Sequence, residues 1–321
     1  MISTEPTKNQ PKSEILTMQC MEVWGGNSHA DTHVEMGGLD AWVVSRPLKG
    51  ATSGGDVHYL SSCATGRVAR MLLADVSGHG QEVARISDQL CRLMRRFVNY
   101  IDQSRFVEDL NTSFHELEVE SNFATALVLS WFGPNRELTV SNAGHPSPLI
   151  YNHKKKSWSY LAEPESKAGS SLRNVPFGVV HDVRYDEVRC HLEPGDQMLC
   201  FSDGLIETLG DGSGRVGQAK LLQLMNEQKV NDPSAIVHDL TNLVESRCDD
   251  DLTLMLLRPN EDCPWSCAIN KLKAPWHIVR GVIKAFKDRA RPVPWPEISI
   301  ANLGGAMIDG LNRFRKSPKD L

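Results

Sequence analysis

The chain has 321 residues, of which 40% are hydrophobic and 23% charged, with a formal net charge of −5. That is the composition of a folded globular protein with material for one large domain or two small ones. The acidic balance excludes a general electrostatic footprint for nucleic acid, and no apolar run reaches about 18 residues, so no transmembrane helix is expected.

Residues 1–20 read as a disordered lead-in. Met1 to Lys12 mixes Ser, Thr, Pro and Lys and lacks the apolar segment of a secretory signal. One continuous domain is expected over residues 21–260. Leu39–Arg46 (LDAWVVSR) and Arg67–Val76 have strand character, and Val57–Ala64 alternates weakly. From Gln81 to about Ile101 the apolar residues Val83, Ile86, Leu90, Leu93, Met94 and Phe97 recur at helical spacing. Phe106–Glu120 makes a second helix with Leu110, Phe114 and Leu117 on one face. Thr125–Phe132 and Glu137–Asn142 flank Gly133-Pro134-Asn135-Arg136 as a β-hairpin with a four-residue loop. Leu149–Asn152 and Trp158–Leu161 form another pair around Lys154-Lys155-Lys156, and Val183–Leu192 and Gln197–Ser202 are joined by the turn Glu193-Pro194-Gly195-Asp196. Asp232 as N-cap and Pro233 at the first helical position start a helix running to about Ser246. Leu252–Leu257 closes the domain as a strand. Helices grouped between hairpin-rich segments predict an α+β layered fold rather than a βαβ repeat.

The eight cysteines are scattered. Cys263 and Cys267 alone are close, without the second pair that a zinc knuckle needs. Free thiols in a reducing cytoplasm are expected, several buried as small hydrophobes. Residues 261–321 form a basic, partly amphipathic tail, with 11 Lys and Arg against 4 Asp and Glu from Asn270 onward. Basic amphipathic helices dock on a partner or on an anionic membrane surface, or they pack on the parent domain.

The chemistry lies in aspartates at strand ends. Asp75 ends the apolar run Met71-Leu72-Leu73 and opens the turn Val76-Ser77-Gly78-His79-Gly80. Asp56 follows Gly54-Gly55, and Asp203 ends the apolar run Leu199-Cys200-Phe201-Ser202 and precedes Gly204. Asp249, Asp250 and Asp251 immediately precede the last strand. Carboxylates converging on one sheet edge repel unless a cation neutralises them. Mg²⁺ and Mn²⁺ suit such oxygen ligands, and two of them activate water against a phosphoryl group. Each Asp taken singly also fits a common turn, so the residues by themselves leave both readings open.

The segments GGDVHYLSS, LLADVSGHG, FATALVLSW, SNAGHPSPLIY, LEPGDQMLCFSDGLIET and DDDLTLMLL occur in the order found in the metal-dependent protein phosphatases (PPM family), and most resemble the bacterial SpoIIE/RsbU-like branch. The resemblance covers roughly Gly54–Arg258. It implies an αββα sandwich, two central antiparallel β-sheets flanked by helices, and hydrolysis of phosphoserine or phosphothreonine on proteins by metal-activated water, with two divalent cations, Mn²⁺ or Mg²⁺. Carried over residue by residue, Asp75 bridges both ions, the Val76 backbone carbonyl completes a shell, and Asp56, Asp203 and Asp250 are further ligands. Asp251 is a weaker choice than Asp250, and Asp249 weaker still. His79 falls four residues after the bridging Asp, between a proton donor to the leaving alkoxide and a loop hydrogen bond. His145 is expected to be structural. A carboxylate common after the Gly-Gly-Asp run is replaced by Leu60. The substrate implied is a phosphorylated regulatory protein, such as an STAS-type anti-sigma antagonist, in the cytoplasm, with no fused sensor module ahead of the domain. The competing reading is a catalytically silent PPM-fold binding module, whose mark would be lost metal carboxylates, and here all four positions are filled.

Overall fold

The computed structural model describes residues 13–63, 65–78, 81–100, 102–115, 123–162, 173–181, 183–210, 212–228 and 232–260. In chain order the elements are β1 (Glu14–Thr17), β2 (Val23–Ser28), β3 (Ala30–Met36), β4 (Leu39–Arg46), β5 (Ser53–Ser62), β6 (Val68–Val76), α1 (Gln81–Arg96), α2 (Gln103–His115), β7 (Ala124–Phe132), β8 (Glu137–Ala143), β9 (Leu149–Asn152), β10 (Ser157–Tyr160), β11 (Val188–His191), β12 (Gln197–Phe201), α3 (Asp203–Leu209), α4 (Gly214–Glu227), α5 (Pro233–Val244) and β13 (Leu252–Pro259). They form two sheets, ordered β1-β3-β4-β13-β12-β9-β10 and β11-β8-β7-β6-β5-β2. All neighbours are antiparallel except β1 and β3.

Three apolar layers account for the stacking. Along β6, Ala69, Met71 and Leu73 face the second sheet, where, together with Leu127, Leu129 and Trp131 of the adjoining β7, they meet Val43, Met255 and Leu257. Leu72, Ala74 and Val76 face the other way, onto Val83, Ile86, Leu90, Met94 and Phe97 of α1 and its end and Phe106, Leu110 and Phe114 of α2. On the far side, Trp42, Val44, Phe201, Leu254 and Leu256 meet Leu221 and Met225 of α4 and Ile236, Val237, Leu240 and Val244 of α5. Helices, sheet, sheet and helices therefore stack as the αββα sandwich that the resemblance implies. A strand covered on both faces reads as an unbroken apolar run, which is why β6 stands out in sequence. Truncating one of its buried leucines to alanine would cost about 2–5 kcal/mol.

Arg70, fully buried on β6, ties the elbow between α1 and α2 to the sheet. It donates from Nη1 to the Val98 carbonyl at 3.1 Å and from Nη2 to the Tyr100 carbonyl, with its guanidinium 4.5 Å from the Phe106 ring centroid.

Several elements depart from the sequence expectation. The lead-in does not extend to residue 20. Glu14–Thr17 adds a strand to the seven-stranded sheet beside β3, because Leu16 and Met18 pack on the inter-sheet core. The Glu193–Asp196 turn passes the chain between sheets: β11 pairs with β8, whereas β12 pairs with β9 and β13. The segment after Asp203 forms the short helix α3. The expected basic tail and the Cys263/Cys267 pair lie outside the described residues. Among the described residues, no helix is long and apolar enough to cross a membrane.

Candidate metal centre

Asp56 and Asp75 are register partners on the adjacent antiparallel strands β5 and β6. Side chains of partners on one pair of strands project to the same face, about 5 Å apart at Cβ, so sheet pairing alone forces two carboxylates together. Asp203 is the first residue of α3, directly after β12, and Asp250 precedes β13. These two strands are neighbours in the other sheet. The site is thus assembled half from each sheet, at the end where β5 begins and β6 and β12 finish.

Among the described residues, the electrostatics are those of carboxylates set against one another. Asp56 is 3% exposed. Burial pushes its carboxyl well above the usual range, Asp75 and Asp251 add to this, and hydrogen bonds from Ser202 and Thr253 only partly offset it. Its Oδ2 has no hydrogen-bond partner. Asp75 is pushed up to about 7, first by burial and then by the charges of Asp203, Asp250, Asp251 and Glu207. Asp203 is raised by burial and then by Asp250 and Glu207.

A buried carboxylate oxygen without a donor costs several kcal/mol unless protonated or paired. A hard divalent cation is the counter-charge that suits an all-oxygen donor set. Gly55 shows the cradle for it: a Cβ there would stand 3.1 Å from the Val76 carbonyl oxygen, 3.4 Å from Asp75 Oδ1 and 3.4 Å from Asp251 Oδ2. The carbonyl and carboxylates therefore border one small space that a side chain would fill. Among the described residues, no three His, Cys, Asp or Glu side chains close into a ligand cage.

The turn after Asp75 is pinned to the next strand. The Ser77 amide donates to the Phe123 carbonyl at 2.9 Å, and the Phe123 amide donates to Ser77 Oγ at 2.9 Å. His79 lies outside the described residues. His145 is tied to the strand beside Asp75: its Nδ1 pairs at 2.9 Å with Oγ1 of Thr125, the register partner of Asp75 on β7, and its backbone exchanges hydrogen bonds with the Asn142 side chain.

One participant, Glu207, escaped the sequence reading, and the contacts of Asp251, read there only as a weaker ligand choice, were not foreseen. Glu207, one turn along α3, adds charge to both Asp75 and Asp203. Its i+4 spacing from Asp203 becomes a signal once the Asp-Gly turn is recognised as a helix start. Asp251 uses its carboxylate on backbone amides, accepting from Leu48 N at 2.6 Å and from Gly55 N. That leaves Asp250, of the two, as the residue whose carboxylate is not committed to β5.

Comparison with known proteins places this architecture. Residues 65–260 match the family model described as "Stage II sporulation protein E (SpoIIE)". The phosphoserine phosphatase RsbU of Bacillus subtilis is 25% identical over 230 residues, covering 68% of this chain and 63% of its own length. The RsbU and RsbW domains of Rv1364c from Mycobacterium tuberculosis superpose with a TM-score of 0.57 at 21% identity, over 79% of this chain and 75% of that one. The phosphatase domain of SpoIIE from Bacillus subtilis, solved with a fragment of its regulatory domain, gives 0.56 at 16% identity, over 69% and 62%. RsbX, solved in complex with magnesium, gives 0.51 at 17% identity, over 74% and 100%.

Proposed function

The chain belongs to the SpoIIE family, and from that premise we propose that it is a metal-dependent serine/threonine protein phosphatase acting on a phosphorylated regulatory protein. The observation that carries this reading is the Asp56–Asp75 pair: two carboxylates forced together by strand register, one fully buried with an unpartnered oxygen. Asp75, Asp56, Asp203, Asp250 and the Val76 carbonyl would hold two divalent cations, Mn²⁺ or Mg²⁺. The magnesium bound by RsbX supports the same class of ion. Such ions supply an activated water and positive charge for the phosphoryl oxygens.

The chain's own residues set the stage for that chemistry. Burial of Asp56 excludes water from the floor of the site and strengthens every charge interaction there. Asp203, at the edge of the second sheet, faces the same space from the other side. The Ser77–Phe123 pinch fixes the turn that leaves Asp75, so the carboxylate and the Val76 carbonyl are presented together. For His79 two roles stay open, a proton for the departing seryl or threonyl oxygen or a hydrogen bond that holds the loop.

RsbU is a phosphoserine phosphatase, and this chain spans 63% of its length. Phosphoserine or phosphothreonine on an STAS-type anti-sigma antagonist is the substrate that this kinship favours. A cytoplasmic location belongs to the same proposal and is supported by the free thiols of all six described cysteines. The basic tail is proposed to make a peripheral contact with a partner or an anionic membrane, which co-sedimentation with anionic liposomes, with and without residues 261–321, would test. The substrate assignment is tested by incubating the protein and Mn²⁺ with phosphorylated STAS-domain proteins of its own cell. Release of phosphate from one of them is expected. Tight Mn²⁺ binding with no turnover on any phosphoserine or phosphothreonine substrate would instead favour a silent binding module.

A further inference from the structure

Asp251 occupies the point where the two halves of the site meet. Its Oδ1 accepts the Leu48 amide, in the segment following β4, at 2.6 Å, and its Oδ2 accepts the Gly55 amide of β5. Asp251 leads into β13 of the seven-stranded sheet, whereas β5 belongs to the six-stranded one. One carboxylate therefore stitches the sheets together one residue before Asp56 and one residue after Asp250. Two glycines on separate segments make room for it. A Cβ on Gly54 would overlap the Asp251 carboxylate, and a Cβ on Gly204, next to Asp203, would overlap the Asp251 carbonyl oxygen. Residue 251 is thus in contact with the segments that carry Asp56 and Asp203, and it adjoins Asp250.

The arrangement is electrostatically costly, because Asp251 adds negative charge beside Asp56 and Asp75. An asparagine would avoid that cost. It would also offer one acceptor oxygen where two amides need one each.

We propose that Asp251 is a positioning residue that sets the spacing between the metal carboxylates of the two sheets by bridging the backbones of Leu48 and Gly55. This rests on the phosphatase reading above. Charge-assisted hydrogen bonds to backbone amides are strong and directional, and groups that orient metal ligands typically change metal affinity by about 10–100-fold when removed.

The test is Mn²⁺ calorimetry on the full chain, paired with thermal melting in chelator. Asp251→Ala is expected to weaken Mn²⁺ binding by about 10–100-fold, and Asp251→Asn by an intermediate factor. Gly54→Ala should weaken binding in the wild-type background, where its methyl displaces the carboxylate, and add nothing in Asp251→Ala, where the space is open. A residue that only stabilises the fold would lower the melting temperature in chelator and leave affinity alone. If Asp251→Ala does not fold, Asp251→Asn and Gly54→Ala carry the measurement. Affinities within about twofold of wild type in these variants, or additive effects of Gly54→Ala and Asp251→Ala, would overturn the proposal while the phosphatase reading stands. A wild-type protein that binds no Mn²⁺ would remove both.

Discussion

Asp56 on β5 and Asp75 on β6 are direct partners across an antiparallel ladder, so the fold itself holds two carboxylates against each other at the base of the site. Asp56 has an oxygen with no hydrogen-bond partner, and the Asp75 carboxyl is pushed up to about 7.

In the absence of metal the cluster should destabilise the fold. Asp75→Asn removes one charge from a group that burial and then Asp203, Asp250, Asp251 and Glu207 disfavour. At pH 8 in chelator the variant should be more stable by roughly 1–2 kcal/mol, a rise in melting temperature of a few degrees. Saturating Mn²⁺ should reverse the order, stabilising wild type more than the variant. A variant less stable than wild type in chelator would show that the carboxylates are not in conflict.

His145 makes the opposite demand on pH. It is 5% exposed, and burial holds its imidazole down to about 4, against an ordinary value of 6.5. The Phe201 backbone offsets this only in part, and Nε2 has no hydrogen-bond partner. The unfolded chain binds the proton more readily, so this group's contribution is complete above pH 6.5 and is lost as pH falls towards 4. The loss should amount to roughly 2–3 kcal/mol by pH 4.5. Urea midpoints between pH 7 and 4.5 should fall more steeply for wild type than for His145→Asn, even though the variant starts lower for want of the Thr125 bond. Parallel slopes would count against a buried neutral histidine.

The cap of α5 is a local test of the fold. Asp232 Oδ2 accepts the Ala235 amide at 2.9 Å, with Pro233 at the first helical position. Asp232→Ala should cost about 1 kcal/mol, read as a lower urea midpoint at unchanged slope, while Mn²⁺ affinity stays the same because α5 lies outside the site. A loss of Mn²⁺ affinity would mean that the helix layer is coupled to the centre.

The contrast between those residues explains what could be seen in the sequence. Asp75 and Asp203 were legible because each ends an apolar run, and that run is continuous because helices and a second sheet cover both faces of the strand. Asp232-Pro233 was legible because capping chemistry is local. The Asp56–Asp75 register was not, since pairing between strands is decided by the assembled sheet. Asp250 was ranked above Asp251 on the family resemblance alone, and the contacts of Asp251 were hidden. Three aspartates in a row look alike until Leu48 and Gly55, about two hundred residues away in sequence, present their amides to one of them. β1 was missed because four residues carry too little alternation, and its pairing with β3 depends on Leu16 and Met18 finding the inter-sheet core.

This carboxylate centre is proposed to hold divalent cations that activate water against phosphate esters. Hydrolysis of an aryl phosphate, measured with and without Mn²⁺ in wild type and Asp75→Asn, tests it most directly. Turnover in wild type should require Mn²⁺ and fall by at least about a hundredfold in the variant. Metal-independent turnover, or full activity in Asp75→Asn, would contradict it.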